Sequence, residues 1–187
     1  MMYPLYLGDE RVRYALGRIG ARNLFIFGVN PSTANATQSD PTIQQVERFL
    51  AAWGEKGWFE EGARESFDGF VMLNLYPLRE TDPAELPMKP NTTICKMNVE
   101  TICRLLQGEP APTVWAAWGD SIEERTYLKS CLGQIVDQMK RQKIAVNWKK
   151  VSPVLTGRGN PKHPNPRNPQ LTKQDVLTGF DMAGYLG

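Results

Sequence analysis

The chain has 187 residues, 41% hydrophobic, 22% charged and 10% aromatic, with a net charge of +2. That length and composition describe one globular unit with a real core, so residues 1–187 are read as a single domain and not as a disordered or fibrous chain. No apolar run approaches the roughly 20 residues of a membrane helix, and the opening MMYPLYLGDER carries neither a secretory core nor an Arg-rich transit helix, so a cytoplasmic protein is expected.

In chain order, a short helix is expected near residues 9–18, followed by a strand over 23–30 (NLFIFGVN). Asp40-Pro41 supplies an N-cap and an N1 proline for a helix whose Ile43, Val46, Leu50 and Trp53 share one face. A strand over 69–75 (GFVMLNL) precedes a helix over 91–107 with Ile94, Met97, Ile102 and Leu105 on its apolar face. Then come a strand over 113–118 (TVWAAW), a helix after Asp120 and Ser121 carrying Leu128, Leu132, Ile135 and Met139, and a strand over 144–152 (IAVNWKKVS). Strands alternating with helices imply crossover connections, hence a three-layer α/β/α domain around a central, mainly parallel four-stranded sheet. The Pro-rich stretch 152–169 is not expected to be regular.

Three cysteines (Cys95, Cys103, Cys131) form no close pair in sequence, and His163 is the only histidine. These exclude a zinc finger and a four-thiolate cluster, leaving only carboxylates for a metal, and neither metal nor cofactor is expected. Scattered thiols read as buried residues of a reducing compartment. Charge is uneven: residues 138–173 hold nine basic side chains and no acidic one, which fits either a solvated face or a surface that meets phosphates.

Ligands of such sheets sit beyond the carboxyl ends of the strands. There the chain places Gly28-Val29-Asn30-Pro31-Ser32-Thr33, then Asn74-Leu75-Tyr76-Pro77-Leu78-Arg79, then Trp118-Gly119-Asp120, and finally Gly157 through Arg167 with His163 between prolines. Asparagine offers both donor and acceptor without a full charge, so Asn30 and Asn74 suit a heterocyclic amide. Each also has a plain reading, Asn30 as a turn residue before proline and Asn74 as the end of its strand. His163 is equally at home in a solvated loop. Walker, GxGxxG, GxSxG and kinase signatures are missing, and Ser32 or Thr33 as a nucleophile lacks a histidine placed for a triad.

RYALGR (13–18), NPSTANATQSDPTI (30–43), NLYPLRETDP (74–83), AAWG (116–119) and PKHP (161–164) resemble the bacterial and phage family catalogued as domain of unknown function 1643, over nearly the whole chain. More distantly, Gly28-Val29-Asn30-Pro31, Val71-Met72-Leu73-Asn74, Ala117-Trp118-Gly119 and His163-Pro164-Asn165-Pro166 resemble, in order, the GxDP or GxNP, LLLN, LWG and HPSP motifs of the uracil-DNA glycosylase superfamily. That resemblance implies a metal-free hydrolase that flips a damaged or modified base out of DNA and cleaves its N-glycosidic bond. Asn30 would position the water, as in the mismatch-specific branch, and His163 would donate to the base as negative charge develops. Asn74 would read the base edge, Gly28 would allow close approach, and Tyr76, Trp118 or Phe49 would stack on the ring. Ser32, Thr33, Arg79, Arg158, Lys162 and Arg167 would meet the nucleic-acid backbone, with Arg167, or else Leu171, in the place of the wedge leucine. NPSTA lacks the Tyr or Gly that follows in members binding small bases, which leaves a bulky or modified base open. The partner is then DNA, duplex or single-stranded, met by a monomer. A hydrolase of free modified nucleotides or nucleosides and a non-catalytic nucleic-acid reader are the alternatives.

Overall fold

The computed structural model describes residues 1–56, 59–60, 63–64, 66–152, 154–164, 171–172 and 175–187. In chain order they form β1 (Leu5–Gly8), β2 (Arg13–Arg18), β3 (Asn23–Gly28), α1 (Pro41–Lys56), β4 (Phe59–Glu60), β5 (Ala63–Arg64) and β6 (Gly69–Asn74). There follow α2 (Thr92–Gln107), β7 (Thr113–Ala116), α3 (Tyr127–Arg141), β8 (Asn147–Val151), β9 (Leu177–Gly179) and α4 (Met182–Leu186). Apart from the small β4–β5 ribbon, the strands make one seven-stranded sheet in the order β1-β2-β6-β3-β7-β8-β9. β6, β3, β7 and β8 are parallel neighbours, whereas β1, β2 and β9 join antiparallel at the edges. The expected four-stranded parallel sheet is thus the middle of a larger mixed one.

Residues 9–18 do not form a helix. Asp9 accepts hydrogen bonds from the backbone N–H groups of Arg11 (2.7 Å) and Val12 (2.9 Å), closing the turn between β1 and β2. β2 then lies between β1 and β6 with its first five residues buried. A Cβ on Gly17 would fall 2.0 Å from the carbonyl oxygen of Phe70, so the strand approaches β6 as only glycine permits. Local helical spacing yields here to pairing with a strand more than fifty residues away.

Period-two alternation divides the apolar residues between two cores. Leu24, Ile26, Phe70, Met72 and Trp115 face α1 through Ile43, Val46, Phe49, Leu50 and Trp53. Phe25, Phe27, Val71, Leu73, Val114 and Ala116 face Ile102 and Leu106 of α2 and Leu128, Leu132 and Ile135 of α3. Helices therefore cover both faces of the sheet, each fully buried large side chain contributing roughly 2–3 kcal/mol. Asp40 caps α1 through the N–H of Ile43 at 2.9 Å, and Asn91 caps α2 through those of Thr93 and Ile94. The third long helix starts at Tyr127, because residues 119–123 form a 3-10 turn. Where α2 packs on α3, Cys95 and Cys131 line one groove, a placement that spacing along the chain does not reveal. Among the described residues no helix is long and apolar enough to cross a membrane.

Candidate functional site

The central strands continue to hydrogen-bond beyond their formal ends. Leu75 N–H donates to the Gly28 carbonyl (3.0 Å), Tyr76 N–H to that of Val29 (2.9 Å), and Ala117 N–H to that of Phe27 (2.9 Å). These contacts carry β3 and β6 to a common rim where Asn30 emerges. At the neighbouring strand, Gly119 has φ +58° and donates its N–H to the Pro161 carbonyl at 2.9 Å. A Cβ on Gly119 would sit 2.9 Å from that of His163. The left-handed backbone and this contact both require glycine, and together they press the histidine loop against the end of β7.

The same loop is held from behind. Asp120 Oδ1 accepts from Thr156 Oγ1 (2.5 Å) and from Asn160 Nδ2 (2.9 Å), while Asn160 Oδ1 accepts from the Tyr185 hydroxyl (2.5 Å). Tyr185 also accepts the indole N–H of Trp118 at 3.1 Å. Asn160 is buried, and these bonds satisfy both ends of its amide.

Val29, Asn30, Ser32, Asp40, Thr42, Glu80, Trp118, Ser121 and His163 line a cleft of about 290 Å³ at this rim. Asn30 Nδ2 donates to the Glu80 carbonyl (2.7 Å) and, more weakly, to that of Pro31 (3.3 Å). This fixes the amide, and among the described residues no donor meets its Oδ1. Burial lowers the His163 pKa to about 4, the nearby Asp40 carboxylate only partly opposing it. The imidazole is therefore neutral at neutral pH, with one ring N–H to give. Deeper in, buried Arg13 donates from Nη1 to the Ala34 carbonyl at 2.9 Å. Burial lowers its pKa to about 10, with Asp40 pulling the other way, so the guanidinium stays charged.

The depressed histidine has a consequence for stability. Above pH 6.5, its ordinary pKa, His163 is neutral in folded and unfolded chains alike. Between there and about 4 only the unfolded chain takes up the proton, so stability is lost as pH falls through that window, by at most about 3 kcal/mol. Urea unfolding of the wild type and of His163→Gln from pH 7 to 4 should show the stability difference narrowing by this amount. A difference independent of pH would contradict the half-buried, neutral imidazole.

Of the residues singled out from sequence, the cleft gathers Asn30, Ser32, Trp118 and His163. Gly28 and Asn74 lie side by side just beneath, the Asn74 Oδ1 being 3.3 Å from where a Gly28 Cβ would stand. Asn74 is 1% exposed, and its Nδ2 has no hydrogen-bond partner. Trp118 is enclosed by Trp148, Phe180 and Tyr185, so its ring belongs to the core. Phe49 is fully buried against Trp53 and Trp115, away from the cleft lining. Tyr76 packs on Tyr127, and its hydroxyl accepts from the Asn91 N–H, in the core beside α2 and α3.

The expected backbone contacts are similarly dispersed. Arg79 donates to the Tyr6 hydroxyl (2.8 Å) and the Thr33 carbonyl (2.9 Å), bracing exposed Thr33 and its loop against β1. Lys162 is buried, and Arg158 is exposed on a different groove beside Lys129 and Lys150. Arg167 lies outside the described residues, and Leu171 is 7% exposed within the α1-side core. Two residues of the site escape sequence reading. Asp40 shows in sequence only as a helix cap, and Arg13, whose charge reaches Asp40, sits where a short helix is expected, although RYALGR already stood out as a motif.

A family model described as "Protein of unknown function (DUF1643)" matches residues 13–165. No curated protein and no solved structure matches the chain significantly.

Proposed function

Because the chain belongs to the DUF1643 family of proteins of unknown function, its chemistry rests on its own residues, and we propose that it hydrolyses the N-glycosidic bond of a damaged or modified base in DNA. The observation that carries this reading is that Asn30 and His163, from loops at opposite ends of the sequence, share a cleft of about 290 Å³. That volume suits one heterocycle, being at the lower limit of small-molecule pockets, about 300 Å³. The resemblance of four strand-end motifs to the uracil-DNA glycosylase superfamily supports the same reading, as does the buried, unpaired amide of Asn74. An orphaned donor costs about 1–3 kcal/mol, which an acceptor on a ligand would offset.

In this mechanism the bond between C1′ and the base nitrogen breaks with its electron pair going to the base. The sugar passes through an oxocarbenium-like state, and negative charge grows on the leaving heterocycle. The neutral imidazole of His163 donates a hydrogen bond to that charge, which is more stabilising in a buried site than in water. Asn30 Oδ1, aimed by the Glu80 carbonyl on its other end, accepts a hydrogen bond from the water that adds to C1′. The proton released by that water ends on the departed base or in solvent. Asp40 adds negative potential beside the cationic sugar.

Free nucleosides or nucleotides form a second substrate class, favoured by a specific observation. The cleft is lined by Asp40 and Glu80, whereas Arg79 is tied to Tyr6 and Thr33 and Lys162 is buried. Duplex and single-stranded oligonucleotides, each carrying one altered base, and the corresponding nucleosides should be incubated with the protein and the released base separated chromatographically. Abasic sites revealed by alkaline cleavage of an oligonucleotide are the expected outcome. Release from monomers alone would move the assignment to free nucleosides, and release from neither would end it.

A further inference from the structure

The ionised side chains in the cleft wall are of one sign. Asp40 and Glu80 line it, and among the described residues no lysine or arginine does. Asp40 is 4% exposed, so solvent screens its carboxylate little, and its field reaches both Arg13 and His163. The loop that supplies Glu80 continues through Asp82 and Glu85 with no basic residue. Cations of the surrounding loops are engaged by other oxygens. Arg79 donates to the Tyr6 hydroxyl and the Thr33 carbonyl, and Arg125 to the carbonyls of Leu86 (2.7 Å) and Ala84. Arg13 is buried and is not part of the lining. The His163 imidazole is neutral at neutral pH and adds no positive charge.

These walls discriminate between leaving groups. A neutral base departs as an anion, and here the anion would form beside two carboxylates with one imidazole N–H to receive it. A base that already carries a positive charge departs neutral, and before it departs the carboxylates attract it. Building on the hydrolase reading above, we propose that the cleft selects a glycoside whose base is a cation, an N-alkylated purine held in its charged form by Asp40 and Glu80.

In that reaction the bond from C1′ to the purine nitrogen breaks with both electrons going to the nitrogen. The ring loses its positive charge and leaves as a neutral base, while the same charge moves to the sugar as an oxocarbenium-like ion. One positive charge therefore stays in the cleft until water adds, so the carboxylates that hold the substrate also face the transition state. Water adds to C1′ through its oxygen, and one proton passes to solvent. As electron density returns to the ring, its carbonyl becomes a better acceptor for the His163 N–H. The uncharged amide oxygen of Asn30 is enough to aim the water, because a cationic base needs little activation to leave.

The experiment uses the whole protein with 7-methylguanine, hypoxanthine and uracil, each placed in a duplex oligonucleotide and in a free deoxynucleoside. Base release is compared with that in enzyme-free samples, because a cationic base is also lost spontaneously. The acceleration should be about tenfold or more greater for 7-methylguanine than for either neutral base. Release from the oligonucleotide places the cation in DNA, release from the deoxynucleoside alone places it in a free nucleoside, and both support the proposal. Asp40→Asn and Glu80→Gln should each lower the acceleration on 7-methylguanine by about tenfold and that on hypoxanthine by less, narrowing the preference. Glu80→Gln guards against a folding defect, since it keeps the backbone carbonyl that accepts from Asn30. Equal or greater acceleration on hypoxanthine or uracil, or a preference unchanged in both variants, would overturn the cationic-base proposal and leave the hydrolase reading standing. Release of no base from any substrate would overturn that reading and this proposal with it.

Discussion

His163→Ala should lower base release by about two to three orders of magnitude while leaving the folded state in place. Loss of one preorganised donor to a developing anion costs about 2.7–4 kcal/mol in comparable sites, and His163 is the only imidazole in the chain. Asn30→Ala should cost about two orders of magnitude or more, since the water loses the group that aims it. Both losses should fall on the single-turnover rate and not on substrate affinity, because each contact strengthens only as the bond breaks. Asn30→Asp is the informative partner. It restores the acceptor oxygen but places a carboxylate oxygen against the Glu80 carbonyl, which now accepts the Asn30 N–H at 2.7 Å. Its rate should therefore lie between those of the wild type and Asn30→Ala. Near-normal turnover in both alanine variants, with circular dichroism unchanged, would refute the assignment of these two residues.

Arg13→Ala should destabilise the protein by about 3 kcal/mol, among the largest single losses available outside the apolar core. Arg13 is 2% exposed and faces the field of Asp40, itself 4% exposed. Removing the guanidinium leaves the Ala34 carbonyl without its donor and takes away a buried positive charge that interacts with Asp40 through space. Asp40→Asn should cost much less, because asparagine also caps a helix well. Combined, the two changes should cost less than their sum, as removal of a charge already missing its partner is mild. Urea midpoints of the four proteins decide this. Losses that add to within about 0.5 kcal/mol would show that the pair does not interact.

The central strands and long helices were legible because each signal was local. The alternation in NLFIFG and GFVMLN, the Asp40-Pro41 cap and the Asn91 cap all act within a few residues. The edges of the sheet were not, since β2 is a strand only by virtue of its place between β1 and β6. Among the site residues, Asn30 and His163 could be anticipated because strand ends converge in α/β sheets. Arg13 and Asp40 could not, for their importance lies in burial, which no spacing records. Aromatic residues misled for the converse reason. Phe49 and Tyr76 have the chemistry to stack on a base, yet packing against Trp115 and Tyr127 places them in the interior.

The bond from Tyr185 to Asn160 sets a limit on how this protein can be divided. The family match spans residues 13–165, and a fragment cut to those boundaries would lose β1, β9 and α4. With α4 goes the hydroxyl that holds both the Asn160 amide and the Trp118 indole, so the loop presenting His163 would lose its latch while Asn30, Asn74 and His163 all remained. The part that must be kept intact to hold the cleft's geometry is larger than the part a family signature marks, and excision at the signature's edge is a disguised change to the cleft.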